Sequence, residues 1–476
     1  MVRWGLRALF WTHRWSGVVL ALLMAVWSLS GIVMMYVAYP ELTREERFAG
    51  LEPLDLSACC KAELPDIPGL TSGSVEMLEG VPVLRWQGDE GGGTIRLTDG
   101  QSMEIGAKDA AMIAAAHLAR ATGKAAPEPA VTRIRYDQWT VQDASSRTFA
   151  LYKASFADAA GSVLYVSGKD GRVVQGTTRS ERFWNWLGSI PHWLYFSELR
   201  KDGWWWQQVV VYTSLFGTFL TVTGLYIGIR QYGRGRRRIP YRGWAYWHHV
   251  TGLVFGLFTL TWVVSGLFSM QPWGWMESPG ADAEQAALAG RSTDQADALA
   301  LVRALRSGLP VGTASADISV QGKTAFAVLS DAYGKEARYA LPALTPSTPS
   351  EPELRARSEA AMPGVAIQSA ELIRQPDDYY YSHHTKVSFP VWRAIYRDAD
   401  ATRLYFDPAT GELMGKIDKP AREFRWWHQA LHRLDFGPFN TRPLWDIVML
   451  PLIIGVSLLC LVGLWLGIKR LRRSFR

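Results

Sequence analysis

The fold class this sequence predicts is a membrane protein built on a four-helix transmembrane bundle. Three observations predict it: four long apolar stretches, basic residues gathered in short segments, and a repeat that divides the chain in half. Over 476 residues the 48% hydrophobic share averages a greasy part with a polar part, so local windows are the better test. The apolar stretches are 9–39, 205–229, 245–270 and 444–468. Each holds about 20 or more mostly apolar residues, which at ~1.5 Å per residue crosses a ~30 Å hydrocarbon core. The first starts basic, as a signal peptide does, but runs too long and lacks a small-residue cleavage site, so it is expected to be retained. Many of the 22 tryptophans, among them Trp4, Trp11, Trp15, Trp204–Trp206, Trp244, Trp247, Trp273, Trp275, Trp445 and Trp465, stand at predicted span ends. There the ring is buried while its N–H stays wet.

Orientation follows from the short segments. Residues 1–8 carry Arg3 and Arg7, with Arg14 just inside the first span. Residues 230–244 carry Arg234, Arg236, Arg237, Arg238 and Arg242, and the tail 469–476 carries Lys469, Arg470, Arg472, Arg473 and Arg476. Alternating spans put all three on one face, which the positive-inside rule makes cytoplasmic. Both termini are then expected in the cytoplasm of a bacterial inner membrane, with 40–204 and 271–443 as domains in the periplasm. The net charge of +7 is read as this topology signal rather than as a nucleic-acid surface.

The repeat is parallel. His13, Gly17 and Ser30–Gly31 of the first span recur with the same spacing as His248, Gly252 and Ser265–Gly266 of the third. Trp186, His192 and Phe196 before the second span recur as Trp426, His432 and Phe436 before the fourth, and those spans end alike in GLYIGIR and GLWLGIK. Each half is a span, an outer domain, a helix with a histidine, and a span. Two parallel tandem repeats lack the inverted symmetry common in transporters.

The outer domains read as α+β units. Asp109–Gly123 and Ala296–Ser307 are helix candidates, while Val131–Val141, Thr148–Phe156, Gln321–Ser330 and Trp392–Tyr396 alternate like strands. Val163–Val174 turns at Gly168–Gly171, and TRLYFDPATGELMGK is a hairpin turning through Asp407–Gly411. The Pro/Ser-rich stretch Pro342–Pro363 is expected to be an outside loop. Cys59 and Cys60 are adjacent, and because a vicinal disulfide is strained and uncommon, a small local role or none is expected. No C-x-x-C-H occurs, which excludes covalent c-type haem attachment.

Four of the nine histidines, His13, His192, His248 and His432, occupy matched places near the span ends. Ionisable groups at membrane depth are costly and default to function, and imidazole is the usual axial ligand of haem held without covalent bonds. Facing helices of a bundle hold such cofactors. Two haem b groups, one between His13 and His248 and one between His192 and His432, account for the whole set. Gly17 and Gly252, one turn after their histidines, clear room for a flat macrocycle. His249 and His428 are alternates. The HQALH string at His428–His432 lacks the glutamate of a zinc protease, having Gln429 in its place. His383 and His384, after DDYYYS, are candidates to bind a metal or steer a substrate toward the outer haem, against the alternative of a plain polar loop; His117 is expected to be structural. The Gly233–Gly235 loop has no strand–helix unit after it and is no dinucleotide fingerprint.

The segments THRWSG, WHHVTG, PHWLYF and ALHRLDFG, each tied to a span, resemble those of the PepSY-associated transmembrane family. The hairpins SGKDGRVV and FDPATGEL resemble its PepSY modules. That resemblance implies an iron-regulated membrane protein similar to di-haem reductases, with His13, His192, His248 and His432 as axial ligands. WHHV departs from the pattern through its doubled histidine. The expected activity is ferric-chelate reduction: electrons from a cytoplasmic or quinol donor reach ferric iron in a siderophore or other chelate. The alternatives are a non-redox PepSY membrane protein that binds or regulates a peptidase, and a siderophore permease.

Overall fold

The computed structural model describes residues 2–57, 59–60, 64–89, 91–233, 238–383 and 386–475. Of the residues singled out above, Arg234, Gly235, Arg236, Arg237, His384 and Arg476 lie outside them. Among the described residues, four helices are long and apolar enough to cross a membrane: Trp4–Met34, Gly203–Gln231, Trp244–Phe268 and Leu444–Ser474. The first helix begins earlier and ends sooner than the apolar pattern suggests, and the fourth runs on through its basic tail. Each span touches two others, in the cyclic order first, second, third, fourth.

Met24, Ala25, Val263, Val456 and Cys460 form the centre of this bundle, with Trp27, Phe255, Phe258 and Trp262 packed around them. Outward, the spans expose Val19, Leu22, Phe216, Leu257 and Leu458, a girdle that suits lipid and not water. Hydroxyls inside the spans bond back to their own helix, as Ser16 does to Thr12 O at 2.7 Å and Thr213 to Val209 O at 2.6 Å. Such back-bonding satisfies these hydroxyls within hydrocarbon. The chain is therefore a multi-pass membrane protein with α+β domains.

The two segments between spans one and two and between spans three and four are joined by a sheet. Its eight strands run in the order Thr345–Pro346, Glu336–Ala340, Thr324–Asp331, Thr313–Gln321, Leu70–Leu78, Val81–Gly88, Gly91–Arg96, Ser102–Met103. The seam is antiparallel, with Val75 opposite Ala316. Helix Gln295–Ser307 covers it through Leu301 and Leu305, both fully buried. Each segment also has its own four-stranded meander: Ala130–Ile134 through Val173–Thr177 under helix Ala107–Thr122, and Ile367–Ile373 through Leu413–Ile417 under helix Glu351–Ala361.

That last helix corrects the expected loop at Pro342–Pro363. Ser350 caps it by accepting from Glu353 N, a proline stands in its first turn, and Leu354, Ser358 and Ala361 are buried. Proline and serine here start a helix instead of preventing one. Strand Ala130–Ile134 is likewise shorter than expected and gives way to a 3-10 turn at Val141–Asp143. Cys59 and Cys60 are joined in a disulfide, against expectation.

His117 is 6% exposed on helix Ala107–Thr122, and burial lowers it to about 4, so it is neutral at pH 7. Its ring lies where a side chain at Gly50 would go: a Cβ there would sit 2.1 Å from ring atoms. Gly50→Val is therefore expected to cost about 1–3 kcal/mol by overpacking. Thermal unfolding of the detergent-purified variant should show a clearly lowered midpoint, whereas Gly80→Val, with nothing within 4 Å, should fall only by its backbone strain.

Candidate functional site

The last strand of each meander leads into a short helix that carries a histidine. Thr177 is followed by the cap Thr178, whose hydroxyl accepts from Glu181 N while Glu181 caps back, and helix Arg179–Leu187 begins. After Gly188, helix Ser189–Trp193 presents His192 and stops at Leu194, left-handed at φ 53°. In the second segment Asp418 caps helix Lys419–Phe424 by accepting from Ala421 N. A π-helical turn Arg425–Ala430 carries His428, and Leu431–Arg433 presents His432 before Leu434, left-handed at φ 55°.

These helices bring His192 and His432 together, with ring centroids 6.1 Å apart. At the other end of the bundle His13 and His248 face each other at 6.5 Å. Two imidazole nitrogens each about 2 Å from one metal put the ring centroids roughly 6–6.5 Å apart. Both pairs have that spacing. His249 is not the ring opposite His13; it packs on Tyr241 at 5.2 Å. His428 lies 5.2 Å from His432 on the same helical segment, so it flanks the pair.

Hydrogen bonds set the tautomers. His192 Nδ1 donates to Trp27 O at 3.0 Å and lies 3.1 Å from Ser30 Oγ. His13 Nδ1 donates to Leu220 O at 3.1 Å, with Thr223 Oγ1 at 3.3 Å. A carbonyl only accepts, so the proton is on Nδ1 and the Nε2 lone pair points elsewhere. His432 Nδ1 lies 3.0 Å from Ser265 Oγ, with the Trp262 backbone as a further partner, and the Leu459 backbone faces His248. Metal-bound histidines are held this way, the second nitrogen fixed on a backbone or side-chain oxygen. Outside the spans, burial lowers His192 and His428 to about 4 and holds His432 well below the ordinary imidazole value. All three are neutral at pH 7, the form that ligates.

Around His13 and His248 lies a cavity of about 510 Å³. Glycines form much of its wall: Gly17, Gly224, Gly252, Gly256, Gly463 and Gly467. A Cβ at Gly224 would sit 2.7 Å from His13 Cε1, and one at Gly463 would sit 3.2 Å from His248 Cε1. Gly17 and Gly252 have only ordinary contacts, at 3.7 Å, and line the space without seating a ring. Arg14, Lys469, Arg470 and Arg473 also line it. Flat walls, two facing imidazoles and a cationic edge fit a planar macrocycle that carries carboxylates.

His383 points inward. Its Nδ1 pairs with Asp435, both side chains are nearly inaccessible, and its ring meets Trp445 edge-on at 5.1 Å. Tyr381 OH lies 3.3 Å from Asp435 Oδ2, and Arg425 Nε donates to Asp378 O at 3.1 Å. The DDYYYSH stretch is thus strapped along the segment that carries His428 and His432. Spacing alone suggests none of these partners, nor the seats at Gly224 and Gly463, although the repeated GLYIGIR and GLWLGIK strings contain both glycines.

The model of one protein family, described as the PepSY-associated TM region, matches residues 10–332. The match takes in His13, His192 and His248 and ends before His428, His432 and the fourth span. No curated protein matches the chain.

Proposed function

We propose that this chain, which belongs to the PepSY-associated transmembrane family, is a two-haem electron-transfer protein that reduces ferric iron in a siderophore or other chelate. The observation that carries this reading is the pair of facing histidines at each end of the bundle, with ring centroids 6.5 and 6.1 Å apart and with Nδ1 of His13, His192 and His432 set against an oxygen. Two protein ligands leave the sphere of a bare metal ion mostly unfilled, whereas a tetrapyrrole supplies the other four. Haem b held at the two places would supply one-electron chemistry across the membrane.

The chain's own residues do the rest. His13 and His248 hold the inner position, and Arg14, Arg470 and Arg473 offset the charge of carboxylates at its edge. His192 and His432 hold the outer position, and Ser30 and Ser265 orient their rings. From His13 to Ser30 on one helix is roughly 25 Å at 1.5 Å per residue, most of a hydrocarbon core. Trp27, Trp262, Phe255 and Phe258 keep water out of the space between. The two halves act as parallel tandem repeats, each giving one histidine to each pair.

Arg7, Arg14, Arg238, Arg242, Lys469, Arg470, Arg472 and Arg473 gather on the face away from the sheets, which supports cytoplasmic termini and periplasmic sheets in a bacterial inner membrane. A cytoplasmic or quinol donor loses one electron for each Fe(III) that becomes Fe(II). Hard oxygen ligands hold Fe(II) less well, so the metal is released with its chelator intact. The absorption spectrum of the detergent-purified protein, expressed with ample haem, tests the reading. Soret and α bands are expected, and anaerobic addition of a ferric chelate should oxidise the dithionite-reduced protein with formation of Fe(II). A colourless protein would sink the proposal and leave a peptidase-binding or permease role.

A further inference from the structure

Helix Arg179–Leu187 has two unlike faces. One is fastened to protein. Arg182 Nη1 donates to Thr177 Oγ1 at 2.8 Å and its Nη2 to Gly161 O at 2.8 Å, while buried Asn185 Nδ2 donates to Ala38 O at 3.0 Å. The other face carries Phe183, Trp184, Trp186 and Leu187, exposed by 58%, 44%, 51% and 48%. Four large apolar side chains together on a nine-residue helix would be a liability in water.

The depth of this face says what covers it. A Cβ at Gly188, just after the helix, would lie 3.0 Å from Val33 Cγ1, in the last turn of the first span. The patch is therefore level with the span's end. At the neighbouring span ends stand other exposed indoles: Trp204 and Trp205 open the second span, and Trp275 and Trp427 pack on Phe268 at the end of the third. The patch continues a lipid-facing girdle, and aromatic residues with one apolar and one wet side suit that boundary.

We infer that helix Arg179–Leu187 lies in the lipid–water interface, its Phe183–Leu187 face sunk into the headgroup and upper acyl zone of the leaflet on the sheet side. An amphipathic helix in that position lies flat on the membrane without crossing it. His192, on the next short helix, is then held at the membrane surface. Any soluble molecule that meets the His192/His432 pair does so at the lipid boundary rather than up among the sheets. The inference does not depend on a cofactor.

Nitroxide labels on the full-length protein in phosphatidylcholine nanodiscs test it. Cys460 is buried and Cys59–Cys60 are joined, so an added cysteine is the reactive thiol. Labels at Phe183→Cys and Trp186→Cys should collide severalfold more with oxygen, relative to a water-soluble nickel chelate, than a label at Tyr333→Cys, a sheet-turn position that is 85% exposed. Nickel accessibility equal to that at position 333 would overturn the inference. Protection from both reagents would overturn it too, in favour of a second copy on this face. As a check without cysteine substitution, brominated lipid should quench less fluorescence in Trp184→Phe/Trp186→Phe than in the unaltered protein; equal quenching counts against lipid contact.

Discussion

Alanine at His13 or His248 is expected to abolish one of two haem b signals, and alanine at His192 or His432 to abolish the other. Each single variant should keep about half of the Soret absorbance, because each histidine serves one end of the bundle and the ends are separated by roughly 25 Å of packed helix. The double variant His13→Ala/His192→Ala should be colourless. Pyridine haemochrome quantification per protein gives the stoichiometry, and the folded state of each variant is checked by its elution as a single species.

Neighbouring positions sharpen the assignment. His249 packs on Tyr241 and His428 flanks its pair, so alanine at either should leave both signals in place. Removing an oxygen that orients a ligand is milder: Ser30→Ala or Ser265→Ala is expected to weaken haem retention on the order of tenfold. Gly224→Leu attacks the inner place by another route, pushing into the His13 ring, and should remove that signal alone. Full haem content in both His248→Ala and His432→Ala would refute the ligand assignment, even if the protein proved to be a haem protein.

The four spans were legible in the sequence because about 20 apolar residues in a row have few other uses. The histidines were legible because a repeat set them side by side on the page: His13 with His248, His192 with His432. What the repeat could not display is the partner of each ring. Leu220 and Trp27 act through backbone carbonyls, and a carbonyl leaves no mark on residue type. The strands Leu70–Leu78 and Thr313–Gln321, which are hydrogen-bonded neighbours, stand far apart in the chain, and nothing local announces their pairing. His383 reads in the sequence as a candidate to bind a metal or steer a substrate, but Asp435, in the turn after His432, draws it inward. Helix Glu351–Ala361 escaped notice because a cap serine and a first-turn proline look like loop composition until the buried positions behind them are counted.

The largest loss of stability is expected away from the histidines, at Glu76. This carboxylate is 1% exposed in strand Leu70–Leu78, the strand at the seam of the shared sheet. Burial alone would raise its pKa, but Arg85, Arg172 and Arg47 prevail and hold it below the ordinary glutamate value. Arg47 Nη2 donates to it at 2.8 Å, Arg172 stands at 3.5 Å, and Arg85, 5% exposed, pairs with its other oxygen. Three parts of the outer body therefore meet at one charge: the helix Arg44–Ala49, the shared sheet, and the hairpin that bears Arg172. Glu76→Ala leaves Arg85 charged in the interior without its paired carboxylate, a loss of about 3–5 kcal/mol. Urea or thermal unfolding followed by near-ultraviolet dichroism measures it, and a midpoint close to that of the unaltered protein would overturn the expectation. Replacing both members, as Glu76→Leu/Arg85→Met, should recover much of the loss, since an apolar pair of similar volume needs no counter-charge. The pH dependence has a definite sign. A carboxylate whose folded pKa is lowered stabilises fully above its unfolded pKa, and that contribution fades as pH falls toward the folded value. The unaltered protein should therefore lose stability on acidification below about pH 4.5, whereas Glu76→Gln, already weakened at neutral pH, should lose less over the same interval. Haem content should not change in Glu76→Gln, because the cluster touches neither histidine pair; bleaching at neutral pH would mean that the sheets and the bundle unfold as one unit.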